Sequence, residues 1–217
     1  HRVDRRQRQM CIRDRDYQAC GLADLGKPDG YVARQIKGWS ERYDNARTPD
    51  APGWQEVRTW LEEKMPADHP RPAIVHNDYR FDNVILDAND PLRIIGVLDW
   101  ELTTLGDPLM DLGNTLAYWI EADDPAPVQL MRRQPSNAPG MLTRQAFVDY
   151  YAERAGIEIK CFDFYYIYGL FRLAGIVQQI YYRYYHGQTA DKRFASFVQM
   201  NALLEKMALG VVARSSL

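Results

Sequence analysis

The stretch Ile74-Val75-His76-Asn77-Asp78-Tyr79-Arg80-Phe81-Asp82-Asn83 decides how this chain is read. It opens on a β-branched pair, passes into a polar loop, and continues into two short apolar runs, Asn83–Asp87 and Arg93–Leu98. Between them lies the turn-forming cluster Ala88-Asn89-Asp90-Pro91, so the two runs predict a hairpin. The second run ends in Leu98-Asp99-Trp100-Glu101, and Gly106-Asp107-Pro108-Leu109-Met110-Asp111 follows closely. The hairpin should return Asp99 to the neighbourhood of Asp78. Asp99 follows the apolar residues Ile94, Ile95, Val97 and Leu98, where a carboxylate is costly unless paired or metal-bound.

A histidine two residues before an aspartate and an asparagine five after it is the spacing of a kinase catalytic loop; His76, Asp78 and Asn83 have it. Chance supplies such a triple in about one chain per hundred of this composition, so the weight rests on its strand–turn–strand–Asp context. The segment resembles the aminoglycoside phosphotransferase/choline kinase-like family. Within it, the run Leu98–Pro108 and the segment Gln35-Ile36-Lys37-Gly38-Trp39-Ser40 are most similar to the kinase-like domains related to those fused to acyl-CoA dehydrogenases. The resemblance implies a mainly α chain with a small β-hairpin, the helical C-lobe of a protein-kinase-like fold. It also implies ATP as phosphoryl donor, Mg²⁺, and a small molecule with a hydroxyl as acceptor.

Phosphoryl transfer needs a group to accept the hydroxyl proton and ligands to hold metal on the phosphates. Asp78 would be the base and His76 a brace for the loop. Asn83 and Asp99 would hold Mg²⁺ and through it the nucleotide. Asp111 would support the loop by bonding its backbone. Glu101 is either a second metal contact or a surface acid. One departure from the family is Asn77, which stands where it usually has Gly; Asn tolerates left-handed backbone better than most residues.

Outward from the loop the pattern is helical. Pro28–Asn45 and Trp54–Met65 precede it, and Pro66–Pro72 is a proline-rich connector. After it come Asp107–Ile120, with Asp107 as N-cap and Pro108 in the first turn, then Thr143–Ala155, Phe162–His186 and Lys192–Leu209, the last three closed by Gly156, Gly187 and Gly210. Asp123–Gly140 reads as loop. The aromatic residues of Phe162–His186 are read as packing core. Arg172 and Arg183 are read as salt-bridged, with an anionic acceptor as the alternative. Glu121, Asp123 and Asp124 are read as solvated, with a cationic acceptor as the alternative.

A nucleotide-clamping N-lobe needs about five strands and a helix, on the order of 80 residues. Only 75 residues precede His76, they read as helices, and they hold no glycine-rich loop followed by a strand lysine. The expectation is a C-lobe over residues 16–217 with its N-lobe absent, and an N-lobe or a fused acyl-CoA dehydrogenase domain as partner. Residues 1–15 carry six Arg against two Asp. Arg8–Arg15 resembles translated adapter read-through, so residues 1–15 are read as a non-native or disordered basic tail and kept out of fold reasoning.

Net charge is −2, which does not suggest a general nucleic-acid role. No apolar run approaches the roughly 20 residues of a membrane span, and no secretory signal opens the chain. The three cysteines have no metal-ligand spacing. A reducing cytoplasm is the expected compartment. Two further functions stay open: a non-catalytic kinase-like binding module, and a metal-dependent phosphoester hydrolase on His76, Asp78 and Asp99.

Overall fold

The computed structural model describes residues 16–217, so the expectation for residues 1–15 lies outside the described residues. In chain order the helices are α1 (Tyr31–Asn45), α2 (Gln55–Glu63), α3 (Pro108–Ala117), α4 (Ala126–Gln129), α5 (Arg144–Ala155), α6 (Asp163–Tyr185) and α7 (Phe197–Val212). The strands are β1 (Ala73–Val75), β2 (Val84–Leu86), β3 (Ile94–Val97) and β4 (Thr104–Gly106). The fold is mainly helical with small antiparallel ladders, as expected.

Helix α6 is the centre of the molecule and packs on α7, α3 and α1. Its buried face, including Phe164, Ile167, Tyr168, Phe171 and Val177, joins Ile36 and Tyr43 of α1, Val57 and Leu61 of α2, and Leu204 and Ala208 of α7 in one core. The aromatic stripe is thus largely packing. Three polar side chains inside this core, those of Trp54, Asn201 and Gln178, are paired with one another. Asn201 accepts from Trp54 Nε1–H at 2.8 Å and donates to Gln178 at 2.7 Å, and Gln178 donates to the Ala46 carbonyl at 2.9 Å.

Helices α3 and α6 touch backbone to backbone. A methyl group at Gly113 would lie 2.1 Å from the Tyr165 carbonyl oxygen, and one at Gly169 would lie 2.2 Å from that of Gly113. Only glycine permits this approach.

The turn at Ala88–Pro91 closes β2 on β3 in the expected hairpin, with Val84 opposite Val97 and a register irregularity at Ile85/Leu86. A second ladder was not anticipated: β1 pairs with β4, Ala73 opposite Gly106 and Val75 opposite Thr104. It ties together the two ends of the polar loop and hairpin, so everything from His76 to Thr103 projects from one closed base.

The last helix differs from expectation. Lys192–Ser196 is a 3₁₀ turn, and α7 runs through Gly210 to Val212. Val211 is buried, and its packing outweighs the modest helix cost of one glycine. Gly156 does close α5, in a left-handed conformation with φ +62°. Among the described residues no helix is long and apolar enough to cross a membrane.

Candidate active site

The site begins where β1 releases the chain. Asn77 turns it with φ +64°, and its side chain secures the turn by donating to the Leu102 carbonyl at 3.0 Å and accepting from the Tyr31 hydroxyl at 3.1 Å. The turn points two successive backbone N–H groups at Asp111. His76 N–H donates to Oδ2 at 2.9 Å and Asn77 N–H to Oδ1 at 2.7 Å. Asp111 sits in the first turn of α3, whose start is fixed by Pro108 and by Asp107, which accepts from Leu109 N–H at 2.8 Å.

Burial holds the Asp111 carboxyl above the usual carboxylate range, outweighing the lowering effect of its two N–H bonds. The folded form therefore binds this proton more tightly than the unfolded chain. Stability from this group is greatest at acid pH and is lost as pH rises through the raised value. Asp111→Asn should flatten that part of the profile. It should also cost about 1–3 kcal/mol, because an amide has one acceptor oxygen for two N–H donors. Denaturant unfolding across pH checks both effects.

His76 is buried with both ring nitrogens engaged. A carbonyl oxygen can only accept, so the 2.8 Å contact to Leu98 O makes Nε2 the protonated nitrogen. Nδ1 then accepts from Asp78 N–H at 3.2 Å. Taking up a proton would break the second bond, so this geometry suits a brace rather than a proton shuttle.

Asp78 is half-buried. Arg80 Nε lies 3.1 Å from its Oδ1, and Arg80 Nη2 donates to its Oδ2 at 3.3 Å. Asn83 Nδ2 donates to the Asp78 carbonyl at 2.7 Å and to its Oδ2 at 2.9 Å, so Asp78 and Asn83 are in direct contact. Leu98 is tied to both sides of the loop: its N–H donates to the Asn83 carbonyl at 2.8 Å and its carbonyl meets His76. The main chain entering Asp99 is fixed beside Asn83 and His76.

The expectation of an enclosed Asp99 is corrected. Asp99 is exposed, with φ +65°, and its neighbours Leu98, Trp100 and Leu102 are 47%, 37% and 47% exposed. The hairpin has only two strands, and no described element covers its outer face. Glu101 is also exposed, in the 3₁₀ turn Trp100–Leu102.

Two other expectations change. Glu121 and Asp124 are not solvated: Arg144 pairs with Asp124 and lies 3.6 Å from Glu121. Arg172 is buried and Arg183 exposed, and neither has a carboxylate within salt-bridge distance among the described residues.

A family model for the phosphotransferase enzyme family matches residues 11–147. The chain belongs to that family. Similar proteins include mouse acyl-CoA dehydrogenase family member 10, 34% identical over 195 residues, and chicken acyl-CoA dehydrogenase family member 11, 30% identical over 207 residues. These alignments cover 89% and 93% of this chain but 18% and 26% of the relatives, so the chain spans about a fifth to a quarter of their length. A Ralstonia eutropha crystal structure assigned as an aminoglycoside phosphotransferase superposes with a TM-score of 0.79 at 31% identity, covering 94% of this chain and 61% of that one. The helical arrangement is that of a protein-kinase-like phosphotransferase.

Several residues that touch this loop were not singled out from sequence. Arg80 holds Asp78 and also lies over the Tyr118 ring at 4.8 Å. Thr115 donates to the Tyr79 carbonyl at 3.0 Å, and Gln134 accepts from Phe81 N–H at 2.9 Å. Arg80, two residues from Asp78, was findable by proximity. Thr115 and Gln134 carried no local signal.

Proposed function

We propose that this chain carries the catalytic floor of an ATP- and Mg²⁺-dependent phosphotransferase acting on a hydroxyl of a small molecule. The observation that supports it best is the direct contact of Asn83 with Asp78, beside a Leu98 held by Asn83 and His76. The base, one candidate metal ligand and the approach to the second thus belong to one hydrogen-bonded unit.

The donor set suits Mg²⁺. With its amide NH₂ turned to Asp78, Asn83 presents an amide oxygen, and exposed Asp99 offers a carboxylate. Both are hard oxygen donors, and Mg²⁺ is commonly held by few protein ligands plus phosphates and water. When bound, the ion would neutralise charge on the phosphates of the nucleotide. Asp78 would orient the acceptor hydroxyl and take its proton. Arg80 and Asn83 would hold the Asp78 carboxylate in place, while His76 and Asp111 would fix the loop. Glu101, exposed beside Asp99, would be a second contact.

A segment outside this chain would cover the phosphates, since no strand residue among those described is a lysine. The same absence favours a second reading, a kinase-like module that binds without turnover. The names of the relatives make an acyl-CoA dehydrogenase domain a proposed partner, and a cytoplasmic location fits that reading. A hydrolase is disfavoured: among the described residues no three His, Cys, Asp or Glu side chains gather to hold a metal.

Calorimetry with Mg-ATP tests the proposal. Binding and hydroxyl phosphorylation are expected once a glycine-rich, strand-forming segment is joined upstream. Binding without transfer to any hydroxyl by that extended protein would favour the non-catalytic module.

A further inference from the structure

Asp99 and Glu101 belong to a segment, Leu98–Leu102, in which every residue is exposed, so burial does not place their carboxylates. The segment is held instead at its two ends, by two successive residues of the catalytic loop. At its start the Leu98 carbonyl meets His76 Nε2 at 2.8 Å. At its end the Leu102 carbonyl accepts from Asn77 Nδ2 at 3.0 Å. Between these anchors the Trp100 ring lies 4.7 Å from that of His76, and Thr103 N–H closes the turn on the Trp100 carbonyl at 3.0 Å. Asp99 stands at the head of this turn with φ +65°.

The Asn77 amide has more built around it than a turn requires. A left-handed turn alone is met by glycine. Asn77 is 9% exposed, and its oxygen accepts from the Tyr31 hydroxyl of α1 at 3.1 Å and from Asn114 Nδ2 of α3 at 3.3 Å. Both lone pairs of that oxygen are taken, which sets the plane of the amide and turns its NH₂ to Leu102. Gly106 of β4 leaves room for the Tyr31 ring, since a methyl group there would lie 2.6 Å from it. Burying an amide is costly unless it is bonded, and here the partners come from α1, α3 and the chain beyond the hairpin.

We infer that Asn77 is a positioning residue for the metal end of the site. Together with His76 it clasps the segment bearing Asp99, and so sets where that carboxylate stands relative to Asp78. The backbone N–H groups of the same two residues bond Asp111, so α3, the loop and the Asp99 segment form one linked unit. The inference rests on the proposed function for the role of Asp99, but the clasp itself needs no nucleotide, and the two can fail separately.

Asn77→Gly tests it, because glycine keeps the left-handed backbone and removes only the side-chain bonds. In this chain, amide exchange at Thr103 should quicken about tenfold, while the Leu98 amide, bonded directly to Asn83, should change less. In the extended protein the affinity for Mg-ATP should fall by about 10–100-fold, the range for losing a group that orients a metal ligand. Turnover at saturating Mg-ATP should fall by less than the affinity. Tyr31→Phe leaves the Leu102 bond but removes one of the two bonds that orient the amide. It should fall between, and serves if the glycine variant does not fold. Thr103 exchange or Mg-ATP affinity unchanged in the glycine variant would overturn the assignment, leaving Asn77 a turn residue. Equal quickening at Leu98 and Thr103 would overturn it too, as general loosening. Absence of Mg-ATP binding by the extended wild-type protein counts against the kinase reading alone, and the exchange rates still decide the clasp.

Discussion

Asp78→Asn should lower phosphoryl-transfer turnover of the full-length protein by about 10²–10⁴-fold, the range typical of losing a general base. That corresponds to roughly 3–5 kcal/mol of transition-state stabilisation. The substitution keeps the shape of the side chain and an oxygen for Asn83 Nδ2, now 2.9 Å from Asp78 Oδ2. Arg80 loses its 3.1 Å partner but keeps Asp82 at 3.5 Å and the Tyr118 ring. The loop should survive, so nucleotide affinity should change little while turnover collapses. Asp99→Asn should do the reverse, weakening the Mg-nucleotide complex first. Steady-state kinetics beside calorimetry separates the two, and full turnover in Asp78→Asn would remove Asp78 from its role.

The second large effect is on stability. Gly169→Ala should destabilise the fold by about 3 kcal/mol, at the upper end of ordinary overpacking. The added methyl meets the Gly113 carbonyl at 2.2 Å, a backbone group that cannot rotate away, so α3 and α6 must separate. For a chain of this size the melting temperature should fall by roughly 6–12 °C. Because α3 carries Asp111, the separation should also loosen its bonds to His76 and Asn77. A thermal melt of the variant gives the first effect, and amide exchange at residues 76 and 77 the second. An unshifted melt would mean that the helices do not cross this closely.

These two sites differ in how far they could be read in advance. The loop motif, the hairpin and the N-cap at Asp107 were legible because each is set by residues a few positions apart. A histidine, an aspartate and an asparagine at fixed spacing, a turn at Ala88–Pro91, and an aspartate before a proline act locally. The helices were legible for the same reason, through the spacing of residues such as Val32, Ile36 and Tyr43, all buried. Local signals were weakest where tertiary contacts compete with them, as at Gly210, where the buried Val211 keeps α7 going.

The sequence by itself determined the helices, the hairpin and the loop on which the chemistry would be built, since these follow from short-range pattern and spacing, and the motifs in them carried the resemblance to the family. Only the tertiary structure decided what each charged side chain meets. It joined Asp111 to the loop backbone, fixed the His76 tautomer through a carbonyl 22 residues away, left Asp99 exposed, and gave Arg144 two acids while giving Arg172 none among the described residues. The physical reason is that burial and ion pairing are properties of surfaces brought together from distant parts of the chain. A helical period tells which face turns inward, but not which groups wait there.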